Sequence, residues 1–205
     1  MRFPDARILI FARAPVPGRV KTRLVPVLGA EGACALYVDC LKQTVALACD
    51  AALAPVSLHC TPDASHPLFT RLAEKYPLTL AVQQGVNLGA RMAAAARRAL
   101  THASAALLIG SDVPPLGARH LSEALQRLYE GDAVVMAPAE DGGYVLLGLR
   151  QPQPQLFTDM PWGSDRVAEL TRWRCRRMGL RLGELETLWD LDRPEDLARM
   201  SLGKL

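Results

Sequence analysis

The first apolar run, Ile8 to Phe11, is continuous rather than alternating, which predicts a strand covered on both faces. After a loop, Ala33, Leu36, Tyr37, Cys40, Leu41 and Val45 fall on one face at helical spacing, so the chain opens with a β-loop-α unit. Val56, Leu58 and Cys60 alternate with Ser57 and His59 as a second strand would, and Leu78 to Val82 gives a third before Gly85. Leu88, Met92, Ala95, Ala96 and Ala99 return to the helical period. Ala106 to Ile109 predicts a buried central strand ending at Gly110, followed by Pro114 and Pro115 and a helix over Arg119 to Tyr129. Ala133 to Ala137 and Tyr144 to Leu149 are two further strands, joined by the turn-like segment PAEDGG at 138–143. Val167, Leu170, Trp173 and Arg177 mark another helix, with Ser164 as its expected cap. Pro194, Glu195 and Asp196 suit the first turn of a last helix, with Asp192 as its expected N-cap. Strands alternating with helices predict an α/β chain with a mostly parallel sheet and helices on both faces.

Composition narrows the class. With 205 residues, 50% of them hydrophobic, and no Ser/Gly-rich or like-charged divider, the expectation is one domain over residues 1–205. The net charge is only +3 and aromatics are 5%, so stacking platforms for bases are scarce and nucleic acid is not an expected partner. Five irregularly spaced cysteines without a Cys-x-x-Cys pair read as reduced thiols of a cytoplasmic protein. The N-terminal apolar run is too short for a signal peptide, and Arg91, Arg97 and Arg98 interrupt the Ala-rich stretch, so no membrane span is expected. The sequence does not fix an oligomeric state.

Four segments carry candidate chemistry. PVPGRVKTRL at 15–24 follows the first strand directly, where an open α/β sheet binds ligands. Pro17 holds the loop, Gly18 allows close backbone approach, and Arg19, Lys21 and Arg23, with Arg13 just before them, match the charge of a phosphate chain. A solvated basic loop has the same composition. In LLIGSDVPPL at 107–116, Gly110 and Ser111 bring the chain past the strand end and Asp112 can face the crevice, as a ligand for Mg²⁺ or Mn²⁺ or as an Asx turn. EDGGY at 140–144 offers Asp141 as an acid, Gly142 and Gly143 for close ligand approach, and Tyr144 at the next strand's start; an acidic hairpin reads alike. WDLDRPEDL at 189–197 leaves Asp190 without a capping duty, a possible further metal or hydroxyl contact. Trp162 and Ser164 lie beyond the last long strand, and Trp162 serves either as a stacking surface or as a core aromatic.

Together the stretches FARAPVPGRVKTRL at 11–24, NLGARM at 87–92, GSDVPPL at 110–116, APAEDGGYVLLGL at 137–149, LFTDMPWGSDRV at 156–167 and WDLDRPEDL at 189–197 resemble one family. It is the glycosyltransferase-like family associated with radical-SAM and arsenosugar gene clusters, within the nucleotide-diphospho-sugar transferase superfamily. The resemblance implies the A-type glycosyltransferase α/β/α sandwich, with a nucleotide or NDP-sugar donor at the strand ends and a small-molecule acceptor. For such a sugar transferase the expected roles are Lys21 and Arg23 on the diphosphate, Mg²⁺ or Mn²⁺ at Asp112 with Asp190, Asp141 as base, and Tyr144, Trp162 and Ser164 around the acceptor. Asn87 stands where the family more often has Asp, and no role is expected for it.

Two alternatives stay open at this point. Only Asp112 stands where many such enzymes carry Asp-x-Asp, and Ser-Asp-x-Pro also resembles the nucleotidylyltransferases of molybdopterin- and deazaflavin-cofactor synthesis. Those couple an NTP to a phosphorylated acceptor and release pyrophosphate. The arginines at 166, 172, 174, 176, 177 and 181 would suit such an anionic acceptor, unless they are a solvated helix face. The other alternative is a nucleotide-binding module without turnover.

Overall fold

The computed structural model describes residues 1–202, so the last three residues of the expected 1–205 domain lie outside the described residues. Seven strands form one sheet: β1 (Ala6–Arg13), β2 (Val56–Thr61), β3 (Leu78–Val82), β4 (Ala105–Ile109), β5 (Val134–Pro138), β6 (Tyr144–Leu149) and β7 (Leu182–Glu184). Their spatial order is β3-β2-β1-β4-β6-β5-β7, all parallel except β6, which pairs antiparallel with β4 and β5. Six helices accompany them: α1 (Val25–Asp50), α2 (Pro67–Lys75), α3 (Leu88–Leu100), α4 (Ala118–Tyr129), α5 (Val167–Arg177) and α6 (Pro194–Leu202). This is the α/β sandwich that the alternation of periods predicts.

Strand parity divides the core. Ile8, Ile10, Leu107 and Ile109 point to the face covered by α1, α2 and α4, whose Leu41, Phe69 and Leu125 are buried there. Leu9, Leu108, Met136 and Leu147 point to the other face, against Met92 of α3 and Ala168 of α5. Both faces are dry, which explains the unbroken apolar runs of β1 and β4.

The chain steps outward from β1 to β2 to β3, then returns through α3 to place β4 on the other side of β1. Connections therefore leave the carboxyl ends of β1 and β4 in opposite directions, and a crevice opens between them. The basic loop and the segment after Ile109 both start at that crevice.

Several local readings are corrected. Gly29 breaks α1 with φ 70 and ψ 169, so the helix begins as a short first turn and restarts. By length and composition Thr22–Asp50 is apolar enough to cross a membrane, but one face of it, including Tyr37, Leu41 and Val45, covers the sheet as a core helix does. Ser164 does not cap α5: its N-cap is Arg166, and Ser164 Oγ only accepts the Arg166 N–H at 3.4 Å. Asp192 does not cap α6 either, because the capping carboxylate is Asp196, which accepts the N–H groups of Asp192 and Arg193 at 3.0 and 2.7 Å.

Candidate functional site

At the crevice the chain reaches back on itself across the fold. Lys21 follows β1 by eight residues and adopts φ +48, ψ +43, a left-handed conformation rare for a side chain of this kind. Such a conformation costs about 1–2 kcal/mol and marks places where something else fixes the residue. Here the fixing contact is an ion pair: Lys21 Nζ donates to Asp112 Oδ2, with the lysine side chain 5% exposed and the aspartate 28%. Gly110 makes room for this, since a Cβ there would stand 3.3 Å from Asp112 Oδ1.

Tyr37, on the inner face of α1, binds the two strand ends together. Its hydroxyl accepts the Arg13 N–H at 2.8 Å, donates to the Arg13 carbonyl at 2.9 Å, and contacts the buried Ser111. Burial pushes its pKa up to about 12, so it remains a neutral phenol. Sequence periodicity identified Tyr37 as inward-facing but carries no sign of this second duty.

Asp190 arrives from the C-terminal segment. Leu191 N–H donates to the Asp112 carbonyl at 2.9 Å, and Glu140 N–H donates to the Leu188 carbonyl at 3.0 Å, which stitches this segment to both acidic loops. Burial, and then the charges of Asp112 and Asp141, raise the Asp190 carboxyl to about 6, while Lys21 acts in the opposite direction. The three carboxylates thus share one electrostatic neighbourhood. Among the described residues no group of three His, Cys, Asp or Glu side chains is already arranged to hold a metal ion. Asp112 and Asp190 nevertheless fit a hard divalent cation chemically: both offer oxygen, Mg²⁺ commonly takes only one or two protein carboxylates, and the uncompensated negative charge on Asp190 is what a cation would relieve.

Two cavities meet beside Asp141. One, of about 540 Å³, is charged and is lined by Arg23, Asp141, Asp165, Asp190, Asp192 and Arg193 among others. The second, of about 220 Å³, is apolar, and its walls include Phe11, Met92, Leu108, Tyr144 and Trp162. Asp141 and Gly163 line both. Asp141 itself sits in the β5–β6 turn, where its Oδ1 accepts the Gly143 N–H at 2.8 Å.

The remaining expected residues divide by position. Pro17, Gly18, Arg13 and Arg19 are exposed on the loop; Gly18 has φ +74 with open space where a Cβ would be, as close ligand approach requires. Arg23 pairs with Asp192. Gly142 differs: with φ +88, a Cβ there would collide with the backbone of Asp165, so it is held by packing against the chain rather than by room for a ligand. Asn87 does have a role, since its Oδ1 caps α3 by accepting the Ala90 N–H at 2.8 Å. The arginines after Trp162 do not converge. Arg172 pairs with Glu184, Arg174 donates to the carbonyls of Gln155 and Asp159, Arg177 lies over Trp173, and Arg181 pairs with Asp132.

The family described as "uncharacterized protein conserved in bacteria (DUF2064)" matches residues 44–164. The chain belongs to this family. A provisional nucleotide-diphospho-sugar transferase from Desulfovibrio desulfuricans superposes on the DUF2064 chain with a TM-score of 0.82 at 32% identity, over 93% of this chain and 83% of that one. More distant matches share the fold only. The 4-diphosphocytidyl-2C-methyl-D-erythritol synthase of Anaerococcus prevotii gives 0.63 at 9% identity over 98% and 99% of the two chains. Glucosyl-3-phosphoglycerate synthase of Mycobacterium tuberculosis, solved with Mn²⁺, UDP and glucosyl-3-phosphoglycerate, gives 0.53 at 13% over 97% and 76%. None of the curated proteins matches the sequence. The fold of this DUF2064 chain is that of the nucleotide-diphospho-sugar and nucleotidyl transferases.

Proposed function

We propose that this protein is a transferase that uses a nucleotide-activated donor, and that the group it moves is a sugar from an NDP-sugar to a small-molecule acceptor. One observation carries the reading: Asp141 stands between a charged cavity beside Lys21, Asp112 and Asp190 and an apolar cavity walled by Tyr144 and Trp162. A donor's diphosphate belongs in the first and an acceptor in the second. The resemblance at 32% identity to the provisional Desulfovibrio desulfuricans nucleotide-diphospho-sugar transferase supports the same class.

In this mechanism Lys21 holds the diphosphate, with Arg23 beside it, and Asp112 and Asp190 hold Mg²⁺ or Mn²⁺. When bound, the cation neutralises negative charge gathering on the departing nucleotide. Asp141 takes the proton of the acceptor hydroxyl as its oxygen bonds to the sugar's anomeric carbon. The bond from that carbon to the phosphate oxygen breaks, and its electron pair leaves with the nucleoside diphosphate. Gly18 lets the backbone approach the phosphates, while Ser164 stands at the acceptor side.

A phosphorylated acceptor, as nucleotidylyl transfer needs, is less well supported because four of the six arginines expected to receive it, Arg172, Arg174, Arg177 and Arg181, are engaged elsewhere. The link to radical-SAM gene clusters rests on the sequence resemblance alone. The deciding experiment is a thermal-shift screen of UDP- and GDP-sugars and of NTPs, with and without Mn²⁺ or Mg²⁺, because a ligand that binds only the native state raises its melting temperature by mass action. Stabilisation by NDP-sugars supports sugar transfer, preference for a bare NTP supports nucleotidylyl transfer, and no metal-dependent response to either refutes both.

A further inference from the structure

The apolar cavity has a chemistry of its own. Phe11, Met92, Leu108, Val145 and Trp162 contribute to its walls, and among the described residues no lysine, arginine or histidine lines it. Its polar side-chain groups are Asp141, at the mouth shared with the charged cavity, Ser164, the Trp162 indole N–H and Tyr144. The Tyr144 hydroxyl is buried and has no hydrogen-bond partner. A buried unpaired hydroxyl costs about 1–3 kcal/mol, so a fold that keeps one calls for a reason beyond packing.

Size and polarity limit the occupant. A cavity of about 150 Å³ admits benzene in a well-studied engineered case, so about 220 Å³ accepts one or two fused rings. A hexose brings several hydroxyls and would leave most of them unpaired here at about 1–3 kcal/mol each. A phosphate monoester is worse placed, with no cation on the walls and Asp141 at the mouth. The apolar character also continues outward: Leu88 lines the cavity at 46% exposure, and Val86, two residues earlier, is 94% exposed.

We propose that this cavity takes the uncharged, ring-bearing body of an aromatic or alicyclic alcohol, with Trp162 and Met92 against the ring and Tyr144 supplying its one buried hydrogen bond. As the acceptor of the transfer it rests on the reading above, with a second hydroxyl turned toward Asp141; as a binding site it stands by itself. The chain position of Trp162 is fixed for this purpose by Gly89, where a Cβ would come within 2.6 Å of the indole nitrogen.

The test uses 2-naphthol and 2-naphthyl phosphate, the same ring body without and with charge, titrated calorimetrically into the full chain. Naphthol binds and its phosphate ester binds at least tenfold more weakly. Tyr144→Phe keeps or raises the melting temperature yet weakens naphthol about tenfold, and Trp162→Ala weakens it further. No saturable naphthol binding, equal binding of the phosphate ester, unchanged affinity in Tyr144→Phe, or displacement of naphthol by uridine or guanosine would each overturn the proposal. UDP and GDP titrated with Mn²⁺ into the same samples, and into Lys21→Ala, report on the nucleotide site separately. Loss of nucleotide binding with naphthol binding intact therefore refutes the donor reading and spares the cavity, and the reverse result refutes the cavity alone.

Discussion

Lys21 and Asp112, 91 positions apart, form an ion pair at the carboxyl ends of the two strands between which the sheet reverses its winding. The lysine side chain is nearly buried and its backbone is left-handed, so the pair holds the basic loop closed over the crevice. The ammonium occupies the carboxylate that a divalent cation would need. Under the proposed function, binding of a cation-bound diphosphate would exchange one partner for another, with Lys21 turning to phosphate as Asp112 turns to metal.

This pairing sets the first expectation. Were Asp112 only a metal ligand, Asp112→Asn would leave stability unchanged, but in this structure it leaves a nearly buried ammonium without its counter-charge. Asp112→Asn should lose about 1–3 kcal/mol in urea unfolding, and Lys21→Met added to it should restore part of that loss. Additive losses in the double variant would mean that the two side chains do not depend on one another.

Lys21→Ala separates binding from chemistry. It should weaken a nucleoside diphosphate far more than the nucleoside, as read by calorimetry. If Lys21 contributes about 3 kcal/mol where charge builds on the departing nucleotide, turnover should slow about 100-fold. An equal loss for nucleoside and diphosphate would show that the loop does not read phosphate.

The convergence of Lys21 with Asp112 was legible because both directly follow apolar runs that can only be buried parallel strands, and such strands deliver their following loops to one edge. The fold class followed from the same alternation. Less was legible where contacts are made by residues distant in sequence. Helix α2 is nine residues long, and β7 is three, too short for periodicity to register. Tyr37 looked like any inward helical residue, and its bonds to Arg13 are long-range. The arginines after Trp162 cluster in sequence but disperse in space, since successive helical residues face different ways and each finds its own acceptor. Asp192 and Asp196 both suit the start of α6, and only the fold shows that Arg23 engages the first and leaves capping to the second.

Asp190→Asn should stabilise the protein while impairing the site. The native carboxyl titrates near 6 against 3.8 in an unfolded chain, so the native state holds the extra proton between those values and stability falls as pH rises through that window. The penalty is complete above pH 6. Removing the charge should raise stability at pH 7.5 by roughly 1–2 kcal/mol after allowing for solvent screening, with the gain vanishing below pH 4. Metal-dependent nucleotide affinity should fall in the same variant. A variant less stable than wild type at pH 7.5 would show that Asp190 is held by favourable contacts rather than strained by its neighbours.

His59 should make stability depend on pH in the opposite direction. It is buried on β2 beside β1, stacked on Phe11 with ring centroids 5.3 Å apart, and its Nε2 lies 3.0 Å from Ser57 Oγ. Burial, with Arg98 adding to it, lowers its pKa from 6.5 to about 4, so the native imidazole stays neutral where the unfolded one is protonated. Its contribution is therefore full above pH 6.5 and is lost as pH falls toward 4, by about 2 kcal/mol at pH 5. Asp190 titrates across part of the same range with the reverse sign, so the wild-type profile alone is muted. The difference between wild type and His59→Phe isolates the histidine, because every other group cancels. Urea unfolding at pH 7 and pH 5 should show His59→Phe gaining about 2 kcal/mol relative to wild type over that interval, and a difference that does not change with pH would mean that the native imidazole titrates as freely as the unfolded one.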